Sequence, residues 1–596
     1  MAESIEGSPN SSSDAGGLSN VEDGVGVTVR TAQGEIRGKW LGGVARFAGI
    51  PFAEPPVGDL RFRPPLAPQP WDGVRDATAF GAICPQNPSM MDLLFGGESE
   101  VWNEDCLYLN VWSSEVPDSP VGDVAQDLRP VMVWIHGGGF EMGSGSSPLY
   151  RGDSFARDGV VFVTINYRLG SLGFLELGGL DPAERGSANV GLLDQIAALE
   201  WVRDNIAQFG GDPSSVTIFG ESAGAMSVSL LLASPLAQGL FKRAITQSGA
   251  ASAYREVNDA DADTAEFLEI LGMGSVDELR AAPVETLLKA HAELGAKRTS
   301  DPATTIRTHG NPLAFLAFRP VAEGRVVPLD PLESIRRGSA ADVALMSGTN
   351  LEEWKLFSIG AKPVESEEVL IRRFGNLVED PHSALDAYRR ENPEASLADI
   401  ECAFMTDVVF RIPADRLAEA QLQAIDSHRL ETEGAPAGDA ASGTAVTGGS
   451  SGSGGARPAV YQYRFDWRSQ AMGGLIGAAH AVEIPFVFDL LGDQRLHVLL
   501  GVDAPNSLSA KMHHAWVAFA STGDPTGDPT GARSSEVGDG PSSETGDTSG
   551  RSTGPSSDSG HDWVPSSQGA RVVQILDSTS MVVKDPNPIV TEFWSS

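Results

Sequence analysis

The chain is poor in cysteine, with three in 596 residues. Cys84, Cys106 and Cys402 make neither a dense disulfide framework nor a paired zinc-ligand spacing, so no metal site is expected. Basic residues are also scarce. Lys and Arg number 43 against 80 Asp and Glu, a formal net charge of −37. Such a surface repels phosphate backbones and anionic lipid heads, which argues against a nucleic-acid partner. No apolar run approaches the roughly 20 residues that span a bilayer. The opening MAESIEGSPNSSSDAGG has neither the basic nor the apolar section of a secretory signal. A cytoplasmic location is the resulting expectation, with secretion by an unrecognised route as the alternative. No G-x-G-x-x-G is completed and no Lys-Ser/Thr follows a glycine-rich loop, so nucleotide binding is disfavoured and no cofactor is expected.

What is present is ordinary globular text. Hydrophobic residues make up 41% and charged residues 21%, enough for a large core. Residues 1–24 are Ser/Gly/acid-rich and are expected to be a disordered tail, with 25–596 forming a single domain. VTVRTAQGEIRG reads as two short strands about a turn at Ala32-Gln33-Gly34. The proline-rich IPFAEPPVGDLRFRPPLAPQPW cannot be helix. Arg129–His136 and Gly159–Tyr167 are near-continuous apolar runs, as expected for strands buried on both faces. Asn189–Phe209 has helical spacing, and Ala260–Leu294 reads as a helical cap. Further strands are expected at Arg243–Ser248, Asp342–Ser347 and Val460–Asp466. The alternation predicts an α/β fold with a large, mostly parallel sheet flanked by helices, plus small N-terminal antiparallel strands. Two Gly/Ser-rich stretches, 431–456 and 522–562, read as disordered insertions.

The chemistry centres on VTIFGESAGAMSVS, residues 216–229: strand, Gly220-Glu221-Ser222-Ala223-Gly224, then helix. This is the G-x-S-x-G elbow in its required context. An idle serine in a Gly-rich turn is the competing reading of this stretch alone. A serine hydroxyl needs a base, and the base needs an orienting acid. His480 lies among small residues beyond the Val460–Asp466 strand, and is the favoured base. His136 is the rival, although it directly precedes Gly137-Gly138-Gly139 and more plausibly shapes that loop. His309, His497, His513 and His514 lie in less distinctive text. The acid falls in MSGTNLEEWKLF, where a strand is read to end at Ser347, Gly348 to turn, and Glu352-Glu353 to follow. The order Ser, Glu, His is the one expected of the arrangement. Gly138 and Gly139, with Ala223, could offer backbone N–H groups to an oxyanion.

These segments, in this order, resemble the type B carboxylesterases of the α/β-hydrolase superfamily, which include cholinesterases and bacterial para-nitrobenzyl esterases. The matching text is FAGIPFAEPPVGDLRFRPP, EDCLYLNVW, WIHGGGF, NYRLGSLGFL, ANVGLLDQIAALEWVRDNIAQFGGDP, GESAGA and HAVEIPFVF. The resemblance implies an α/β-hydrolase fold and a serine carboxylesterase acting through an acyl-enzyme. It implies Ser222 as nucleophile, Glu353 as acid, His480 as base, and Gly138, Gly139 and Ala223 as oxyanion hole. Glu221 would modulate the site electrostatically. The family's loop disulfide would join Cys84 and Cys106, leaving Cys402 free; reduced thiols are the expectation for a cytoplasmic enzyme. Trp354 stands where the family has Gly after the acid, and counting from Gly348 favours Glu353 over Glu352. Trp102 is offset from the family's choline-site aromatic, so choline specificity is not carried over. The expected partner is a small-molecule ester. Carbamate, amide or thioester hydrolysis is the alternative chemistry, and a non-catalytic binding protein the less favoured class.

Overall fold

The computed structural model describes residues 23–88, 101–117, 128–300, 302–309, 311–433, 457–528 and 563–595. Nearly all of the expected tail at 1–24 lies outside them, as does most of each Gly/Ser-rich stretch. The start of the first stretch, 431–433, ends the helix Ile412–Glu433; in the second, Thr522 ends the helix Asn506–Thr522 and 523–528 forms a turn after it.

Thirteen strands share one sheet. In chain order they are β1 (Gly26–Arg30), β2 (Glu35–Leu41), β3 (Val44–Pro51), β4 (Val74–Asp76), β5 (Tyr108–Ser113), β6 (Arg129–Ile135), β7 (Val161–Ile165), β8 (Gly211–Glu221) and β9 (Arg243–Gln247). After the small pair β10 (Arg255–Glu256) and β11 (Val321–Ala322) come β12 (Ala344–Asn350), β13 (Val460–Phe465), β14 (Val572–Leu576) and β15 (Met581–Lys584). The order across the sheet is β1-β2-β3-β5-β7-β6-β8-β9-β12-β13-β14-β15, with β4 beside β2. From β7 to β14 every pairing is parallel; β1, β2, β3, β5 and β7 pair antiparallel, as do β14 and β15.

β6 and β7 are near-continuous apolar runs because both faces are covered. In β6, Val131, Val133 and Ile135 enter one core while Met132 and Trp134 enter the other. In β7, Val161, Val163 and Ile165 oppose Phe162 in the same way. The first core is closed by the helices Val190–Asn205 and Ala223–Ala233, through Leu192, Ile196, Leu199 and Met226. The second is closed by Asn506–Thr522, through Leu508, Met512 and Trp516. The cap text folds as Val257–Leu271, Val276–Ala281 and Val284–Ser300, and its Phe267, Leu279 and Leu287 join the first core.

One boundary differs from the sequence reading. Gly348 does not turn the chain; β12 runs through it to Asn350. A Cβ on Gly348 would sit 2.3 Å from the Tyr463 ring, so glycine is present for a close approach across the sheet. Among the described residues no helix is long and apolar enough to cross a membrane.

Candidate active site

β8 delivers the elbow. Ser222, the residue between strand and helix, has φ 55° and ψ −123°, a conformation that non-glycine residues rarely adopt. The Ser222 N–H donates to Gln247 O at 2.9 Å, which ties the strained residue to β9. The flanking glycines serve a different need from the serine: close approach. A Cβ on Gly224 would lie 2.0 Å from Ile135 O, and one on Gly220 2.5 Å from the same oxygen. The turn is therefore packed directly onto the end of β6, where any side chain at these two positions would collide with backbone.

β6 ends in His136 and the glycine loop. A Cβ on Gly137 would meet Glu221 Oε2 at 2.8 Å and Ser222 Cβ at 3.2 Å, so loop and elbow touch. Gly138 has φ 107°, and Gly139 and Phe140 both 64°. Met142 and Glu141 N–H both donate to Gly138 O, at 3.1 and 3.0 Å. Among the described residues, the N–H groups of Gly138, Gly139 and Ala223 donate to no protein acceptor. His136 is buried, stacked on Tyr167, with Nδ1 2.8 Å from Gly137 O. Burial drives its pKa down to about 4, which keeps it neutral and structural.

His480 and Glu353 converge from β13 and β12. The imidazole Nδ1 lies 2.6 Å from Glu353 Oε2, and the Asn350 N–H donates to Glu353 Oε1 at 2.7 Å. Both side chains are buried. Glu352 turns the other way, to Lys355 at 2.9 Å and Arg468 at 3.1 Å, and its Oε2 accepts from the Ala478 N–H. Geometry thus separates two adjacent acids that composition could not. Trp354 is the second residue of a short 3₁₀ turn, Glu353–Ser358, with negative φ, so its position makes no demand for glycine. Phe357 and Phe410 pack their rings 5.2 and 4.7 Å from the imidazole.

The second imidazole nitrogen, Nε2, sits 3.0 Å from Glu221 Oε1, off-line for a good hydrogen bond. The Ser222 hydroxyl makes no hydrogen bond among the described residues. Burial alone would lower the His480 pKa, but Glu221 and Glu353 together outweigh it and hold the imidazole well above the ordinary histidine value. Glu221 is pushed up by burial and pulled back by His480.

A third buried carboxylate is an addition that the sequence reading did not assign. Glu483 accepts from Gln247 Nε2 at 3.1 Å and Asn350 Nδ2 at 2.6 Å. Burial, Glu221 and Glu353 push its pKa up to about 8. Asn350 therefore holds Glu353 with its backbone and Glu483 with its side chain. The signal available was proximity in sequence: Glu483 follows His480 by three residues in HAVE.

Cys84 and Cys106 are brought together, with their thiols in hydrogen-bond contact, yet no bridge joins them. The pair lies where the resemblance places the family's loop disulfide; both residues are sealed in the core, at 1% and 0% exposure, and the Leu169 N–H donates to Cys84 Sγ at 3.3 Å. Cys402 is a third free thiol. No cluster of metal-ligating side chains occurs among the described residues.

Comparison with known proteins agrees with this architecture. The family model described as "Carboxylesterase family" matches residues 26–544. The chain is 39% identical over 504 residues to para-nitrobenzyl esterase of Bacillus subtilis (strain 168), covering 84% of this chain and 90% of that protein. It is 34% identical to acetylcholinesterase of Electrophorus electricus, covering 84% and 80%. A solved PNB esterase superposes with a TM-score of 0.72 at 35% identity, covering 95% of this chain and 98% of that one. A Geobacillus stearothermophilus carboxylesterase superposes with 0.73 at 34% identity, covering 95% and 99%. The chain belongs to the carboxylesterase family and is a serine carboxylesterase of the α/β-hydrolase fold.

Proposed function

We propose that Ser222, His480 and Glu353 carry the hydrolysis, with Gly138, Gly139 and Ala223 as oxyanion hole. The observation that supports this most directly is the buried contact of His480 Nδ1 with Glu353 Oε2 at 2.6 Å, beside an elbow serine held at positive φ. Glu353 fixes the tautomer with the proton on Nδ1, leaving the Nε2 lone pair as base. Ser222 Oγ attacks the ester carbonyl as His480 takes its proton. The oxyanion rests on three N–H groups that have no protein acceptor among the described residues. The alcohol leaves with the proton from His480. Water then attacks the acyl-enzyme by the same path and releases the acid. The substrate is a small-molecule ester. We read 25–596 as one domain built on the single large sheet, and the paired free thiols as fitting a cytoplasmic setting.

The test is Ser222→Ala. Hydrolysis of p-nitrophenyl butyrate should fall at least about 10⁴-fold with the melting temperature little changed. Organophosphate should add to wild type and not to the variant. A variant that keeps its activity, or label found on another residue, overturns the assignment.

A further inference from the structure

A cavity of about 390 Å³ opens where the loop after β9 meets the cap helices and the segment before β11. Its deep wall is basic. Arg255, Arg298 and Arg319 line it at 3%, 4% and 4% exposure, and Asp263 is the one buried acid that lines it. The rim carries Glu256, Asp259 and Asp330 opposite Arg416, all in water, where their fields are screened.

Among the described residues, the buried ion pairs leave one cation over. Asp263 accepts from Arg255 Nη1 at 2.9 Å and from Arg298 Nη2 at 2.6 Å. Arg255 turns its Nη2 to the carbonyls of Phe174 and Arg319. Arg298 has Glu266 as a further partner at 2.9 Å. Arg319 has no carboxylate. Its Nε donates to Leu316 O at 3.0 Å, and its Nη1 is buried without a partner. Glu141, which also acts on it, is occupied by His291 at 2.9 Å. Burial first, and then Arg255, pull the Arg319 pKa down to about 9, as befits a cation short of a counter-ion. A buried guanidinium left open is costly unless something fills its fork. Lys297 also draws on Glu266, at 2.6 Å, so the positive charge left unmatched on the buried wall is that of Arg319. That matches a carboxylate, which is planar and monoanionic, better than a phosphate dianion.

The cavity adjoins the candidate active site. Leu316, whose carbonyl holds Arg319, packs its side chain on Gly139 of the glycine loop. Ala251 and Ser252 of the cavity wall continue from Gly249, which lies against the Ser222 carbonyl. We propose that this cavity is a carboxylate-binding site in which the Arg319 fork is the principal donor. The carboxylate is the free end of a dicarboxylic acid half-ester or a separate small carboxylate. Only the half-ester form rests on the esterase reading above.

The experiment uses the full chain as wild type, Arg319→Gln and Arg319→Lys. One arm measures the thermal shift produced by glutarate against sodium chloride of equal ionic strength. The other compares kcat/KM for mono-p-nitrophenyl glutarate and the neutral p-nitrophenyl butyrate. Should Arg319→Gln not fold, Arg319→Lys keeps the charge without the fork and is read in both arms. A glutarate shift in wild type that the variants lose supports the site. A fall of roughly tenfold in the half-ester to butyrate ratio identifies the substrate as its source. An unchanged ratio with a lost shift identifies a separate ligand. The proposal is overturned if the variants alter neither the glutarate shift nor the ratio. Butyrate hydrolysis by wild type reports separately on the esterase reading.

Discussion

Replacing Glu221 by glutamine tests the electrostatics of the site with almost no change of shape. Glu221 Oε1 lies 3.0 Å from His480 Nε2, and the two side chains are 4% and 3% exposed. At that separation and an effective dielectric of about 20, the charge pair is worth about 5 kcal/mol. Burial of the imidazole opposes it, and Glu353 remains in place in the variant, so the net effect on the His480 pKa is smaller, and downward. The direction follows from the base's task. His480 can accept the Ser222 proton only when Nε2 is unprotonated, so a raised pKa confines activity to higher pH. Removing the Glu221 charge lowers that pKa and should extend activity toward acid. The assay is kcat/KM for p-nitrophenyl butyrate between about pH 4.5 and 9, with product read at its isosbestic wavelength. The acid limb of that profile reports the essential base of the free enzyme. In Glu221→Gln the limb should move toward lower pH. A limb that stays in place, or moves up, would refute the claim that Glu221 holds charge on His480.

Two further outcomes follow from the same geometry. Gly138→Ala places a Cβ 2.2 Å from Met142 O at a φ of 107°, so the loop must shift and its N–H donors move off target; kcat should drop roughly 10²–10³-fold while KM changes little. The three thiols should appear by mass as three alkyl adducts when the protein is unfolded in iodoacetamide without reductant, with slow labelling in the native state. A single adduct would reveal a Cys84–Cys106 bridge instead.

Chemistry that depends on chain order was legible from the sequence, and chemistry that depends on depth was not. The elbow, the glycine loop and the His480 segment each carry a local signature, and a strand buried on both faces, such as β6, shows as an unbroken apolar run. Gly348 misled because a glycine after a strand reads as a turn, whereas here it makes room for the ring of Tyr463, its partner on the neighbouring strand β13. Glu352 and Glu353 are adjacent and alike; only the backbone of a 3₁₀ turn sends one to Arg468 and the other to His480. The same limit hid the chief property of the site. Glu221, Glu353 and Glu483 come from β8, the turn after β12 and the loop after β13, and nothing local to any of them announces that they meet in one buried site, Glu221 and Glu353 on the imidazole and Glu483 on Asn350 and Gln247. Three carboxylates in such a space cannot all hold charge cheaply. Asn350 and Gln247, which donate hydrogen bonds to Glu483, and Asn350's backbone, which donates to Glu353, are what distribute that charge. The base strength of His480 is therefore a property of the packing between β8, β9 and β12, and a substitution at Asn350 or Gln247 should alter it without touching the histidine.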